Sequence, residues 1–221
     1  MVLTWNPDNV NVPAKIVLSN GNRDATFQVT DNKTIESDYS RSTGKYYFEI
    51  EYVTAGGSAN YLGIGNAGFT TNALPGWSAD GKSWAYYPDL GRKFHSGHYA
   101  SFGPTGGVKA VGTIYMFAVD LDTGEFWTGA NGSWFNSTDY DASDPAGSCP
   151  AMYTDSGISA VAMLPMVGGQ NIGTNLRSYL GYSELNYTPP SGFTVWGGIP
   201  PVGIKSKCLT AINNFPLLGG V

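Results

Sequence analysis

Residues 45–53, Lys-Tyr-Tyr-Phe-Glu-Ile-Glu-Tyr-Val, constrain this chain more than any other stretch. Side chains on a strand alternate between two faces, so Tyr46, Phe48, Ile50 and Tyr52 share one side and Tyr47, Glu49, Glu51 and Val53 the other. A helix would scatter the same residues around its axis. The segment predicts a half-buried strand whose apolar face needs a second layer. Similar runs recur: 59–65, 112–120, 125–129, Trp134-Phe135, 158–163, 164–167, 175–180 and 193–196. Leu121-Asp122-Thr123-Gly124 reads as a hairpin turn, with Gly124 where φ must be positive, and residues 130–133 read as a second turn. No dozen-residue window up to position 196 carries a helical apolar stripe. Two stacked antiparallel sheets bury such strands, so the expected class is an all-β sandwich.

Composition agrees. Charged residues are 13% of the 221 and aromatics 14%, with 30 glycines, the profile of short strands joined by tight turns. A net charge of −5 with no Lys/Arg cluster argues against nucleic-acid partners and against a polybasic membrane patch. No apolar run approaches the length of a spanning helix, so no membrane insertion is expected. The first residues show neither a basic nor an apolar signal region, which predicts no signal peptide and synthesis in the cytoplasm. Cys149 and Cys208 are too few for a disulfide scaffold; two free thiols are favoured over a bridge.

Residues 66–107 hold Trp77, Trp84, Tyr86, Tyr87, Phe94, His95, His98, Tyr99 and Phe102 among Gly, Ser and Pro. They read as long aromatic loops, where recognition sits on a β scaffold, or as rings capping the sandwich. The domain is expected to span 1–196. Residues 197–221 form a Gly/Pro linker and an apolar arm with Leu209, Ile212, Phe215, Leu217 and Leu218, which packs on its own domain or anchors on another subunit.

Motifs for chemistry are poor. Gly63-Ile64-Gly65-Asn66-Ala67-Gly68 spells a dinucleotide fingerprint, but no helix follows to hold a pyrophosphate. Asp122-Thr123-Gly124 lacks the second copy an aspartic protease needs. Glu49 and Glu51 share a strand face, as a glycosidase pair would, though a solvated face is the simpler reading. His95 and His98 lack further ligands at metal spacing, so no metal and no cofactor are expected. The chain is expected not to be an enzyme.

Seven blocks in order resemble the SPRY (B30.2-like) family: Gly44 to Tyr52, Tyr61 to Gly65, Trp84 to Tyr87 followed by Gly91 to His95, Gly112 to Gly124, Phe126 to Trp134, Leu164 to Val167, and Tyr187 to Phe193. The resemblance covers residues 3–196. It implies a bent antiparallel β-sandwich of the concanavalin-like type, with a C-terminal extension, acting as a non-enzymatic interaction module. It places the partner-binding loops at 20–43, 66–83, 88–107 and 136–156, with Trp77, Tyr86, Tyr87, Phe94 and Tyr99 as surface anchors. Thr4-Trp5-Asn6-Pro7 and the insertion 140–147 look more like versions encoded by tailed bacteriophages. That implies a virion-surface protein, a capsid decoration or tail or fibre accessory, with capsid or tail subunits as partners and homo-oligomerisation open. The alternative is a receptor- or glycan-binding module reading a host-surface protein or sugar.

Overall fold

The computed structural model describes residues 3–198 except Ser58 and Ala160. The C-terminal arm, with Leu209, Ile212, Phe215, Leu217, Leu218 and Cys208, lies outside the described residues. Numbered in chain order, the strands are β1 (Ile16–Ser19), β2 (Asp24–Phe27), β3 (Lys33–Glu36), β4 (Lys45–Thr54), β5 (Asn60–Asn66), β6 (Ser83–Tyr87), β7 (Arg92–His95) and β8 (His98–Ser101). The second half adds β9 (Ile114–Asp120), β10 (Glu125–Ala130), β11 (Ser133–Phe135), β12 (Tyr140–Asp141), β13 (Tyr153–Thr154), β14 (Met163–Gly169), β15 (Asn175–Tyr179) and β16 (Thr194–Val195). One sheet runs β1-β2-β15-β4-β9-β10-β11-β12, with β13 on β10 and β16 parallel on β4; the other runs β3-β14-β5-β6-β7-β8. This is the all-β sandwich the alternation predicts.

The predicted face of β4 is the core face. Phe48 lies opposite Phe117 of β9 with the rings stacked at 5.1 Å, and Phe126 of β10 stacks on Phe117 at 5.8 Å. Leu62, Ile64, Trp84, Tyr86 and Val167 fill in from the six-stranded sheet. Trp196 closes the bottom against Phe48, its indole N–H donating to the Tyr39 carbonyl at 2.9 Å. At the Asp122-Thr123 turn, Asp120 Oδ1 accepts the Asp122 and Thr123 amides, and Gly124 takes φ +76°. A Cβ at Gly124 would stand 2.2 Å from the Asp155 carbonyl.

Two expectations need correction. Among the described residues of 158–163 only Met163, the start of β14, is in a strand: Asp155 Oδ1 accepts the Gly157 amide and its carbonyl accepts Ile158 N, so a turn buries Ile158 as a plug. Residues 66–107 are not loop throughout, because β6, β7 and β8 run through them and carry most of the rings. Both faces of β6 are apolar, since each meets a packed layer, so alternation alone did not mark it. Likewise 20–43 contains β2 and β3, and 136–156 contains β12 and β13.

The outer face of the larger sheet is not solvated. Tyr47, Met116, Trp127 and Trp134 lie there under Leu185, Tyr187 and Phe193 of the segment leading to β16. Glu49 on that face is fully buried.

Candidate functional site

The outer face of the six-stranded sheet is built differently. Gly63, Ala85 and Gly168 keep it low in the middle, and residues 67–82 cross it as a strap. A Cβ at Gly168 would meet Pro75 Cδ at 2.3 Å, and one at Gly76 would meet the Phe94 carbonyl at 2.2 Å, so the strap sits directly on the sheet. The Thr34 hydroxyl donates to the Ala73 carbonyl at 2.5 Å, and the Gly76 amide donates to Ser83 Oγ at 2.8 Å. The strap delivers Leu74 into the face and leaves Trp77 at its rim.

Beside the strap the large outward side chains of four adjacent strands converge: Tyr61 of β5, Tyr87 of β6, Phe94 of β7 and Tyr99 of β8. Phe94 is the hub, with ring centroids 5.1 Å from Tyr61, 5.5 Å from Trp77, 5.7 Å from Tyr87 and 5.3 Å from Tyr99. Tyr61 and Tyr87 stack at 4.8 Å and 12°. Pairs of this kind contribute roughly 0.5–1.5 kcal/mol each beyond area burial, enough to hold the rings in place before anything binds. Tyr61 and Phe94 form the buried floor; Trp77 and Tyr99 remain 49% and 57% exposed, and Tyr87 is intermediate. The Arg92 guanidinium lies 4.5 Å over the Tyr99 ring. Burial, aided by the negative charge of Asp89, pushes both the Tyr61 and Tyr87 hydroxyls up from their ordinary values, so the face stays neutral apart from Arg92. Asp89 itself is ion-paired with Lys109 on the adjoining loop.

Of the five predicted anchors, Trp77, Tyr87, Phe94 and Tyr99 come together here. Tyr86 does not: neighbours on a strand point to opposite faces, and Tyr86 is fully buried in the core against Phe135 at 5.5 Å. Phe94 is part of the surface only as its floor, at 2% exposure. Tyr61 and Arg92 were missed. Tyr61 sits one residue before the Leu62/Ile64 core pattern, and the same alternation that places those two inside places Tyr61 outside.

The other candidates are occupied structurally. Glu49 accepts from the Tyr47 hydroxyl and Tyr187 amide on Oε1, and from the Asn186 amide and Nδ2 on Oε2, all within 2.8–3.0 Å. Glu51 accepts from Arg177 and Tyr179. The two carboxylates thus hold the 185–193 segment and β15, not a glycosidic bond, and the solvated-face reading fails for buried Glu49. His95 stacks on Trp84 at 4.6 Å, with Asp155 Oδ2 3.5 Å from Nε2 and 3.0 Å from the Trp84 indole N, while His98 is exposed opposite it on the hairpin. Among the described residues no group of three or more His, Cys, Asp or Glu is placed to hold a metal ion. Gly63 to Gly68 is a strand end and turn. Cys149 is buried, and burial pushes its thiol up to about 12. A cleft of about 260 Å³ near Glu36, Asp38 and Asn66 is separate from the aromatic face; Asn6 and Asn9 already hydrogen-bond the Glu36 carboxylate.

No family model matches the chain, and no curated protein matches it in sequence. Solved structures do match. The SPRY domain of human HERC1 is 14% identical, with a TM-score of 0.59 over 79% of this chain and 96% of that one. The PSpry domain of TRIM65 is 15% identical, with a TM-score of 0.56 over 81% of this chain and 90% of that one. At such identities the likeness speaks to architecture, and the architecture of this chain is the SPRY fold.

Proposed function

We propose that this chain is a non-enzymatic protein-interaction module that binds its partner through the aromatic face of the six-stranded sheet. One observation carries the reading. The larger sheet's outer aromatic cluster is sealed by residues 185–193, whereas the smaller sheet's cluster is left open at Trp77 and Tyr99 beside Arg92, a cation with no ion pair among the described residues. Rigid aromatic rings on a packed floor, with an arginine at the side, are the composition of interface hot spots.

The finer reading is a virion-surface protein, a capsid decoration or tail or fibre accessory bound to capsid or tail subunits. Its support is the resemblance of residues 4–7 and 140–147 to phage-encoded versions. In that setting the sandwich faces outward and the arm carrying Leu209, Ile212, Phe215, Leu217 and Leu218 anchors it. A second reading, glycan binding, draws on the half-exposed Trp77 and Tyr99 rings, flat apolar surfaces on which a sugar can stack.

The test is affinity capture from infected-host lysate with wild type, Trp77→Ala, Tyr99→Ala and a chain ending at residue 198. The proposal expects capture of one defined protein that falls at least tenfold in either aromatic variant, each substitution removing on the order of 1.5–2 kcal/mol. Loss only in the shortened chain would transfer binding to the arm, and retrieval of sugar instead of protein would favour the lectin-like reading.

A further inference from the structure

The two edges of the six-stranded sheet are finished differently. At β3 the outward backbone is occupied: Asn9 and Asn11 side chains donate to the Thr34 carbonyl, Asn6 N to the Glu36 carbonyl, and Thr34 N to the Thr71 carbonyl. At β8 it is open. The β7–β8 hairpin turns at Ser96 and Gly97, with φ of +51° and +74°, and pairs His95 with His98. A two-residue turn closes on a hydrogen-bonded pair, so His98 and Ala100 direct their backbone groups to β7, and Phe102 keeps the phase by donating to the Gly91 carbonyl at 2.9 Å. Tyr99 and Ser101 therefore point N–H and C=O away from the sheet, and all four residues of β8 are exposed. His-Tyr-Ala-Ser offers no proline, bulge or lysine to blunt the edge.

We propose that β8 takes up an extended segment of a partner protein as a seventh strand, and that this segment carries an apolar side chain and a carboxylate two residues apart. The proposal rests on the aromatic face being the binding surface and names what lies on it. Tyr99 and Ser101 share the outer face with Phe94 and Arg92, in the pairs Phe94↔Tyr99 and Arg92↔Ser101. A residue of the added strand opposite Tyr99 extends the aromatic floor. One opposite Ser101 looks over a small side chain toward Arg92, about 10 Å away at two strand spacings, within the combined reach of an arginine and an acidic side chain. Arg92 makes no ion pair among the described residues, resting only on the Tyr99 ring. Charge also selects the occupant. The chain's own residues 199–221 bring Lys205 and Lys207 and no Asp or Glu. A second copy docked edge to edge would offer Arg92 only the His-Tyr-Ala-Ser of its own β8, which holds no carboxylate. A distinct acidic segment satisfies the site, and main-chain pairing with alternate side-chain pockets is how strand addition combines affinity with specificity.

The experiment is selection of random displayed dodecapeptides on the full chain. Enriched peptides are expected to read apolar-x-Asp/Glu, to slow amide exchange at Tyr99 and Ser101, and to lose about tenfold in affinity on Ser101→Pro, which removes one outward donor at an edge that tolerates proline. Arg92→Gln should erase the acidic preference while leaving the apolar one. The idea is overturned if no peptide is enriched, if both amides exchange equally in free and bound protein, or if a Ser101→Pro protein of unchanged melting temperature binds as well as wild type. Binding lost in Trp77→Ala but kept in Ser101→Pro would leave the aromatic face standing and remove strand addition; binding kept in both would remove both.

Discussion

Glu49 shows how one side chain can be mistaken for chemistry. Its carboxylate is fully buried yet accepts four hydrogen bonds, two of them from the amides of Asn186 and Tyr187, so it pins the segment that seals the larger sheet. Removing a buried acceptor strands its donors. Glu49→Leu is expected to lower stability by roughly 3 kcal/mol, read from the urea midpoint. The pH dependence follows from other carboxylates. Burial raises the pKa of Asp24, but hydrogen bonds and charge from Arg177 outweigh it and hold the group below its ordinary value. Asp120 behaves alike: burial opposes, and Lys45 with the turn amides prevails. A carboxylate depressed in the folded state contributes stability that is present above its unfolded pKa, about 3.9, and is lost as pH falls through the folded value. Stability should therefore be flat from neutral pH down to about 5 and fall steadily below about 4, measured by thermal melts across that range. Asp24→Asn should flatten part of the acid limb.

At the scale of elements, the strap at 67–82 and the strands beneath it form one unit. Small residues at Ala85 and Gly168 are what let Leu74 and Pro75 lie flat and set Trp77 beside Phe94. Gly168→Val should lift the strap, making residues 67–82 a protease-sensitive site and weakening partner capture, while the core strands keep their exchange protection. Uniform loss of protection would show instead that the sheet cannot form without that glycine. The sequence shows why some elements are readable and others are not. Strands with one apolar face, such as β4, and hairpins with Asp-Thr-Gly turns declare themselves by period and turn chemistry. Strand β6 carries aromatics on both faces because each face is covered, so its alternation vanishes, and β7 and β8 are short and interrupted by Ser96-Gly97. The aromatic face was half legible. Its rings stand out by composition, but sorting Tyr86 from Tyr87 needs the register, and Tyr61 belongs to the face only because β5 lies next to β6.

For the whole molecule, the two sheets share a core, and their outer faces have opposite fates. One is closed by the chain itself through Leu185, Tyr187 and Phe193, and one is left open through Trp77, Tyr99 and Arg92, ending in a strand that is uncapped among the described residues. An exposed aromatic face with a free edge is a liability unless something covers it. The proposed partner supplies that cover. Hydrogen–deuterium exchange of the full chain, alone and in complex with the protein it captures, tests this most directly. Protection is expected to gather at residues 74–77 and 85–101, with β1, β2 and the 185–193 segment unchanged. A footprint on the larger sheet, with 74–77 and 85–101 exchanging as in the free chain, would contradict it.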